Sequence, residues 1–164
     1  MNRLVKSDAS TSPAVSICIV KGHARITETF ILAQAERLPA QVTLVHDNPP
    51  KIGDQPVDTQ STFGRLTSKA WRILSRRADA SQQVTAAYIK VLRQTRAAAV
   101  LAQYGPSGVA MLEACRSTRI PLIVHFHGFD ASKHAVLEEH ARTYPVMFRE
   151  AAAIIAVSHS MRKN

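Results

Sequence analysis

A chain of 164 residues, of which 46% are apolar and 20% charged, has the size and composition of a globular domain, which excludes fibrous and disordered classes. Lys and Arg outnumber Asp and Glu by 21 to 12, and the formal net charge of +9 favours a polyanionic neighbour: nucleic acid, an anionic membrane surface or a phosphorylated substrate. Cys18 and Cys115 lack CxxC spacing, so the sequence indicates neither a disulfide framework nor a zinc site.

The N-terminal residues 1–13 form a polar leader without an apolar signal segment. No window of the sequence approaches the ~20 apolar residues that a membrane span needs. We therefore expect a flexible leader over residues 1–13 and a single cytoplasmic domain over residues 14–164.

Five apolar runs predict strands, and they fall at residues 14–20, 41–46, 97–102, 122–127 and 153–157. Helical spacing between these runs predicts helices from Thr27 to Pro39, over residues 81–95, from Pro106 to 119, and in two short pieces separated near Pro145. Residues 51–62 are polar and aperiodic, which predicts a long loop. The alternation predicts an α/β fold: a doubly wound, mainly parallel Rossmann-like sheet with helices on both faces.

Residues 64–77, called the basic segment below, combine an apolar stripe with a neighbouring row of cations and a tryptophan. These side chains are Arg65, Lys69, Trp71, Arg72 and Arg76. A basic amphipathic helix of this kind is a candidate for lying peripherally on an anionic membrane surface. A surface helix that packs its apolar stripe on the sheet is the alternative, and we expect no nucleic acid partner.

The run Leu122-Ile-Val-His-Phe-His-Gly-Phe-Asp-Ala-Ser132 carries an apolar strand into two histidines. On a strand, His125 and His127 point to one face of the sheet and Phe126 to the other. A metal pair is one interpretation of this spacing. A third ligand at a recognisable spacing is missing, so we expect no metal.

Glycines and polar residues follow the predicted strands. In a parallel sheet the carboxyl ends of the strands meet at one edge, where ligands bind. We expect this edge to gather substrate-binding residues, namely Gly22, Gly105, Gly128, Asp130 and Ser158. A plain strand end followed by a helix, with Asp130 or Ser132 as its cap, is the alternative.

Three segments resemble family-four glycosyltransferases and occur in the order typical of that family. Thr27-Glu-Thr-Phe-Ile31 is similar to the Ser-Glu-Thr-Phe-Ile signature after the first strand. His127-Gly-Phe-Asp-Ala-Ser132 resembles the His-Gly-x-Asp-x-Ser segment, especially in enzymes that make bacterial exopolysaccharide and colanic-acid-like polymers. The stretch from Met147 to Met161 is similar to the one that leads to the interdomain crossing.

This resemblance implies the N-terminal, acceptor-side half of a GT-B enzyme, which transfers a sugar from a nucleotide-sugar with retention and without a metal or other cofactor. It implies that His127 is the catalytic residue against the transferred sugar and that Thr27 and Glu28 line the acceptor side. The expected acceptor is a saccharide or a lipid-linked saccharide in polysaccharide biosynthesis, reached at the inner face of the cell membrane.

The family's second domain, with its nucleotide-binding Glu-x7-Glu segment, has no counterpart in these 164 residues. Since the departing diphosphate needs charge stabilisation that this C-terminal domain supplies, we expect a truncated or split enzyme half, inactive without that domain in cis or in trans. The alternative is a non-enzymatic Rossmann-like module that binds a phosphorylated ligand or a protein partner.

Overall fold

A computed structural model describes residues 15–22, 28–47, 49–57 and 78–163. Its strands are β1 (Ser16–Lys21), β2 (Gln41–His46), β3 (Lys51–Ile52), β4 (Gln55–Pro56), β5 (Ala99–Gln103), β6 (Leu122–Phe126) and β7 (Ala153–Ala156). Its helices are α1 (Thr29–Arg37), α2 (Ala78–Gln94), α3 (Gly105–Thr118), α4 (Phe129–Ser132), α5 (His134–Glu139), α6 (Tyr144–Glu150) and α7 (His159–Lys163). The leader, Thr27 and the basic segment lie outside the described residues, and the expectations for them stay predictions.

The strands form one sheet in the order β4-β3-β2-β1-β5-β6-β7. The five longer strands pair in parallel, whereas β3 and β4 add an antiparallel hairpin beside β2. The chain runs outward from β1 to β2, then returns to the other side of β1 and continues through β5, β6 and β7. This reversal confirms the doubly wound Rossmann-like class and places the topological switch point between β1 and β5.

The parallel strands alternate between two hydrophobic cores because successive side chains point to opposite faces of the sheet. Ile19 and Leu101 pack with Ile31 of α1 on one face. On the other face, Cys18 and Val124 join a larger core whose helical members come from α2, α3 and α6. Helices therefore cover both faces, as predicted.

Both cysteines are buried and free. Burial raises the pKa of the Cys18 thiol to about 12, with a further contribution from Cys115. Burial likewise raises the pKa of Cys115 to about 12. Thiols with such pKa values stay protonated near neutral pH, so neither is a reactive nucleophile.

One proline follows the end of a helix and another lies in the first turn of a helix, both where the sequence predicts a helix boundary. Helix α1 stops at Arg37, and Leu38 is extended before Pro39. Helix α6 begins at Tyr144 with Pro145 in its first turn, which separates it from α5. Strand β2 has the predicted bounds.

The prediction of one loop over residues 51–62 is wrong in its described part. Residues 51–56 form the β3–β4 hairpin, and Gly53 takes a φ of +58° in its two-residue turn. Glycine accepts this left-handed conformation without steric cost, and such turns match the twist of paired strands. Two-residue strands are too short to show the alternation on which a sequence prediction rests.

Candidate functional site

The candidate site lies at the carboxyl ends of β1, β5 and β6, on the side covered by α1. Lys21 ends β1, Gln103 ends β5, and His127 follows the last residue of β6. Gln103 and His125 are paired neighbours across β5 and β6, so their side chains share a face. This edge includes the switch point, where doubly wound sheets bind ligands.

His127 stands among rings on this face. Its ring centroid lies 4.8 Å from that of Phe30, 4.6 Å from that of Tyr104 and 4.2 Å from that of His125. Phe30 is 44% exposed, so this aromatic group borders solvent. The predicted same-face geometry of His125 and His127 is confirmed, and Phe126 packs on the opposite side of β6 with Tyr144.

Both histidines are held toward the neutral form. Burial, followed by the proximity of His125, lowers the pKa of His127 below its usual 6.5, and the charges of Asp130 and Glu28 oppose this only partly. Burial also lowers the pKa of His125. A neutral imidazole has one N–H donor and one acceptor nitrogen, so the His127 ring can both donate and accept a hydrogen bond. Within the described residues, no group of three or more His, Cys, Asp or Glu side chains is arranged to hold a metal ion.

Glu28 precedes the first turn of α1 and forms an ion pair with Lys21. Its Oε2 lies 3.0 Å from Lys21 Nζ, and the two side chains are only 13% and 6% exposed. A nearly buried ion pair keeps both groups oriented, because loss of either partner leaves an unpaired charge away from water. Lys21 was missed by the sequence analysis, although a cation that ends an apolar strand is a usable signal.

Gln103 is a second residue that the sequence analysis missed. It is fully buried, and its Oε1 lies 2.8 Å from His127 Nε2. Its Nε2 donates to Gln34 Oε1 at 2.8 Å, which links the amide to α1. A buried amide at the end of an apolar strand needs partners, and that requirement was the available signal.

Asp130 connects two of the predicted loops. Its side chain is fully buried; Oδ2 accepts the Gly105 N–H at 2.8 Å and Oδ1 accepts the His127 N–H at 2.9 Å. The interpretation of Asp130 as a side-chain cap of the helix that follows β6 is wrong, because α4 has no side-chain cap and the carboxylate lies at the N-terminus of α3. Ser132 instead donates to the carbonyl oxygen of Gly128.

Gly105, the first residue of α3, is also buried. A Cβ at Gly105 would clash with Tyr144 and lie 2.7 Å from Phe126 Cε1, so this position has room for glycine alone. The Tyr144 hydroxyl donates to the Asp130 carbonyl oxygen at 3.1 Å. The β5–α3 loop is thereby fixed against the β6–α4 loop, and both loops support the backbone of His127.

The remaining predicted residues divide between two places. Gly22 is exposed and adjoins the first turn of α3, where a Cβ on it would lie 4.0 Å from Ser107 Oγ. Gly128, with a φ of +101°, and Ser158 instead line a cavity of about 490 Å³ beside Phe126 and Tyr144, across β6 from the His127 ring. Ser158 Oγ also accepts the Met161 N–H at 3.1 Å, which caps α7. The predicted loops therefore meet at this edge, but their residues lie on both faces of the sheet.

Together, the sheet order and this edge define a Rossmann-like domain whose carboxyl edge carries a neutral histidine and a nearly buried ion pair. The family model described as Glycosyltransferase Family 4 matches residues 21–164, which include Lys21, Glu28, Gln103, His127 and Asp130 of the site. The chain belongs to glycosyltransferase family 4.

The fold is similar to that of a solved structure, UDP-N-acetylglucosamine 2-epimerase from Rickettsia bellii, with a TM-score of 0.56 and 13% sequence identity. The match covers 92% of this chain and 40% of that one, so this chain spans well under half of the epimerase's length. At this identity the likeness concerns the fold alone. A comparison with curated protein sequences found no match. In the described part of the chain, no helix has the length and apolar character to cross a membrane.

Proposed function

We propose that this chain is the acceptor-side, N-terminal half of a retaining glycosyltransferase that builds a polysaccharide. It moves a sugar from a nucleotide-sugar to a saccharide or a lipid-linked saccharide. The bond between the anomeric carbon and the diphosphate oxygen breaks, and a bond to an acceptor oxygen forms. The match of residues 21–164 to glycosyltransferase family 4 carries this proposal.

The His127 face supports a carbohydrate ligand in particular. Sugar rings offer C–H faces and hydroxyl groups, and this edge offers aromatic surfaces beside a neutral imidazole. We assign His127 as the catalytic residue that contacts the transferred sugar. We assign Thr27, Glu28 and Gly22 to acceptor binding, and the Lys21 ion pair fixes the Glu28 carboxylate for this role.

Gly105 and Asp130 support the substrate-binding surface from beneath it. Both are buried, and the hydrogen bonds of Asp130 fix the backbone at Gly105 and His127. We assign Gly128 and Ser158 to substrate binding in the cavity across β6, which adjoins the turn after His127. A substrate that spans the carboxyl edge would contact both groups of loops.

The departing nucleoside diphosphate requires donors and cations that develop contacts as the bond breaks. Lys21 contributes a cation to the α1 side, but Glu28 already neutralises it. We therefore assign diphosphate stabilisation to a second domain that holds the donor, in cis or in trans. By this proposal the described domain alone does not turn over.

We further propose that the basic segment docks the protein on a membrane surface. The cations Arg65, Lys69, Arg72 and Arg76, together with Trp71, suit a helix that lies on anionic lipid headgroups. Docking of this kind would bring the His127 face to lipid-linked acceptors at the inner leaflet of the cell membrane, without a membrane span.

A transfer assay tests this proposal. The chain is combined with its donor-binding domain, supplied in cis or in trans, and release of nucleoside diphosphate from a panel of nucleotide-sugars is measured with and without a membrane extract as acceptor source. We expect acceptor-dependent release and incorporation of the labelled sugar into saccharide material. No transfer from any donor, together with tight binding of a phosphorylated ligand by this chain alone, would instead favour a non-enzymatic binding module.

A further inference from the structure

Gln103 is placed to control which nitrogen of His127 carries the proton. The Gln103 side chain is fully buried at the end of β5, between α1 and the residues that follow β6. Both ends of its amide are used: the nitrogen donates to Gln34 Oε1 at 2.8 Å, and the oxygen lies 2.8 Å from His127 Nε2. Gln34 thus binds one end of the Gln103 amide, and the amide oxygen at the other end faces His127.

An amide oxygen accepts hydrogen bonds and cannot donate them. With Gln103 Oε1 2.8 Å from His127 Nε2, a hydrogen bond forms between them only in the tautomer that carries the proton on Nε2. The other ring nitrogen, Nδ1, then holds the lone pair while the ring is neutral. The group that approaches Nδ1 must be a donor, which a carbohydrate hydroxyl is and an unprotonated phosphate oxygen is not.

The charged groups that act on His127 do not make it cationic. Burial and His125 lower its pKa and outweigh the opposing charges of Asp130 and Glu28. A glutamate in place of Gln103 would add a third negative charge, at hydrogen-bond distance from the ring. The neutral amide therefore orients the ring without charging it.

We propose that Gln103 is a positioning residue that holds His127 as the Nε2–H tautomer, so that the site selects a hydroxyl-bearing ligand through Nδ1. The ligand class rests on the proposed function, whereas the tautomer rests on the Gln34–Gln103–His127 hydrogen bonds alone. The role is distinct from contact with the sugar, because Gln103 is fully buried behind the ring.

Nuclear magnetic resonance of the chain labelled with ¹⁵N-histidine tests the tautomer directly, with His127→Gln used to assign the His127 signals. At neutral pH we expect Nε2 of His127 to resonate as a protonated nitrogen and Nδ1 as an unprotonated one. The reverse pattern overturns the proposal, and this measurement on the unaltered chain does not depend on whether any variant folds.

Two near-isosteric variants extend the test. Gln103→Glu should raise the midpoint of the His127 titration by about 1–3 pH units, because an opposite charge within hydrogen-bond distance favours the imidazolium. Gln103→Met should leave a mixture of the two tautomers. A folded Gln103→Met chain that keeps the pure Nε2–H pattern overturns the proposal.

Turnover of the complete enzyme separates this inference from the proposed function. Gln103→Glu should lower kcat about tenfold at neutral pH, and the loss should diminish as the pH is raised above the new titration midpoint. If His127 is the Nε2–H tautomer but His127→Ala turns over as fast as the wild type, Gln103 keeps its positioning role and His127 loses its catalytic assignment. An Nδ1–H tautomer would remove the positioning role whatever the turnover.

Discussion

Replacement of Asp130 perturbs the connection on which the site backbone depends. The buried carboxylate accepts one N–H from Gly105 and one from His127, at 2.8 and 2.9 Å. Each hydrogen bond to a charged group contributes about 1.5–3 kcal/mol, and a buried donor without a partner costs a similar amount. Asp130→Ala should therefore lower the free energy of unfolding by about 3–5 kcal/mol, a large part of the ~5–15 kcal/mol of a typical domain.

Asp130→Asn separates hydrogen bonding from burial of charge. The amide can accept one of the two N–H groups but faces the other with a donor, so we expect a loss of about 1.5–3 kcal/mol. Relief of carboxylate desolvation works in the opposite direction and places the result toward the lower end of that range. For a chain of this size, each kcal/mol lost by either variant should lower Tm by about 2–4 °C.

Urea unfolding followed by circular dichroism measures both variants, since ΔG in water is obtained by linear extrapolation. Asp54→Asn is the matched control, because Asp54 is an exposed residue of the β3–β4 turn and should change stability by no more than about 0.5 kcal/mol. If Asp130→Asn were as stable as Asp54→Asn, the two hydrogen bonds of Asp130 would not be what fixes the two loops.

Three further outcomes follow from the same structure and sequence. A Cβ at Gly108 would lie 2.8 Å from both Met147 Sδ and Val124 Cγ2, so Gly108→Ala should lose about 1–2 kcal/mol in urea unfolding despite the better helix propensity of Ala; a gain in stability would refute this packing argument. Because burial lowers the pKa of His127 below 6.5, the unfolded chain binds an extra proton between the lowered pKa and 6.5, and stability should fall as the pH decreases through 6.5. His127→Gln should reduce this pH dependence and leave the share of His125, whose pKa burial also lowers; an unchanged slope would contradict the prediction. The basic segment should make the chain float with anionic vesicles, and Gln at Arg65, Lys69, Arg72 and Arg76 should abolish flotation. A wild-type chain that stays in the bottom fraction would exclude membrane docking.

The sequence was sufficient for features that depend on local periodicity. The apolar run at residues 41–46 matches β2, and the i, i+2 spacing of His125 and His127 correctly predicted their shared face. Pro39 and Pro145 marked helix boundaries because they restrict the backbone next to them. Such effects act within a few residues, so they can be predicted without a structure.

Contacts between distant segments left no comparable signal. Gln103 meets Gln34 across 69 positions and His127 across 24, while Asp130 meets Gly105 across 25. Glycine and aspartate in loops are compatible with turns, caps and ligand contacts alike. Only the folded arrangement of β5 and β6 distinguishes a carboxylate that fixes two loops from one that caps the next helix.

The central claim is that His127 contacts the transferred sugar in a family-four glycosyltransferase. The most direct measurement is nucleotide-sugar turnover by the protein with its donor-binding domain, compared between wild type, His127→Ala and the control His134→Ala, whose imidazole is 85% exposed. We expect His127→Ala to lower kcat/KM on the order of 10²-fold, as loss of a positioned active-site hydrogen bond does, and His134→Ala to match the wild type. Turnover by His127→Ala equal to that of His134→Ala would contradict the site assignment.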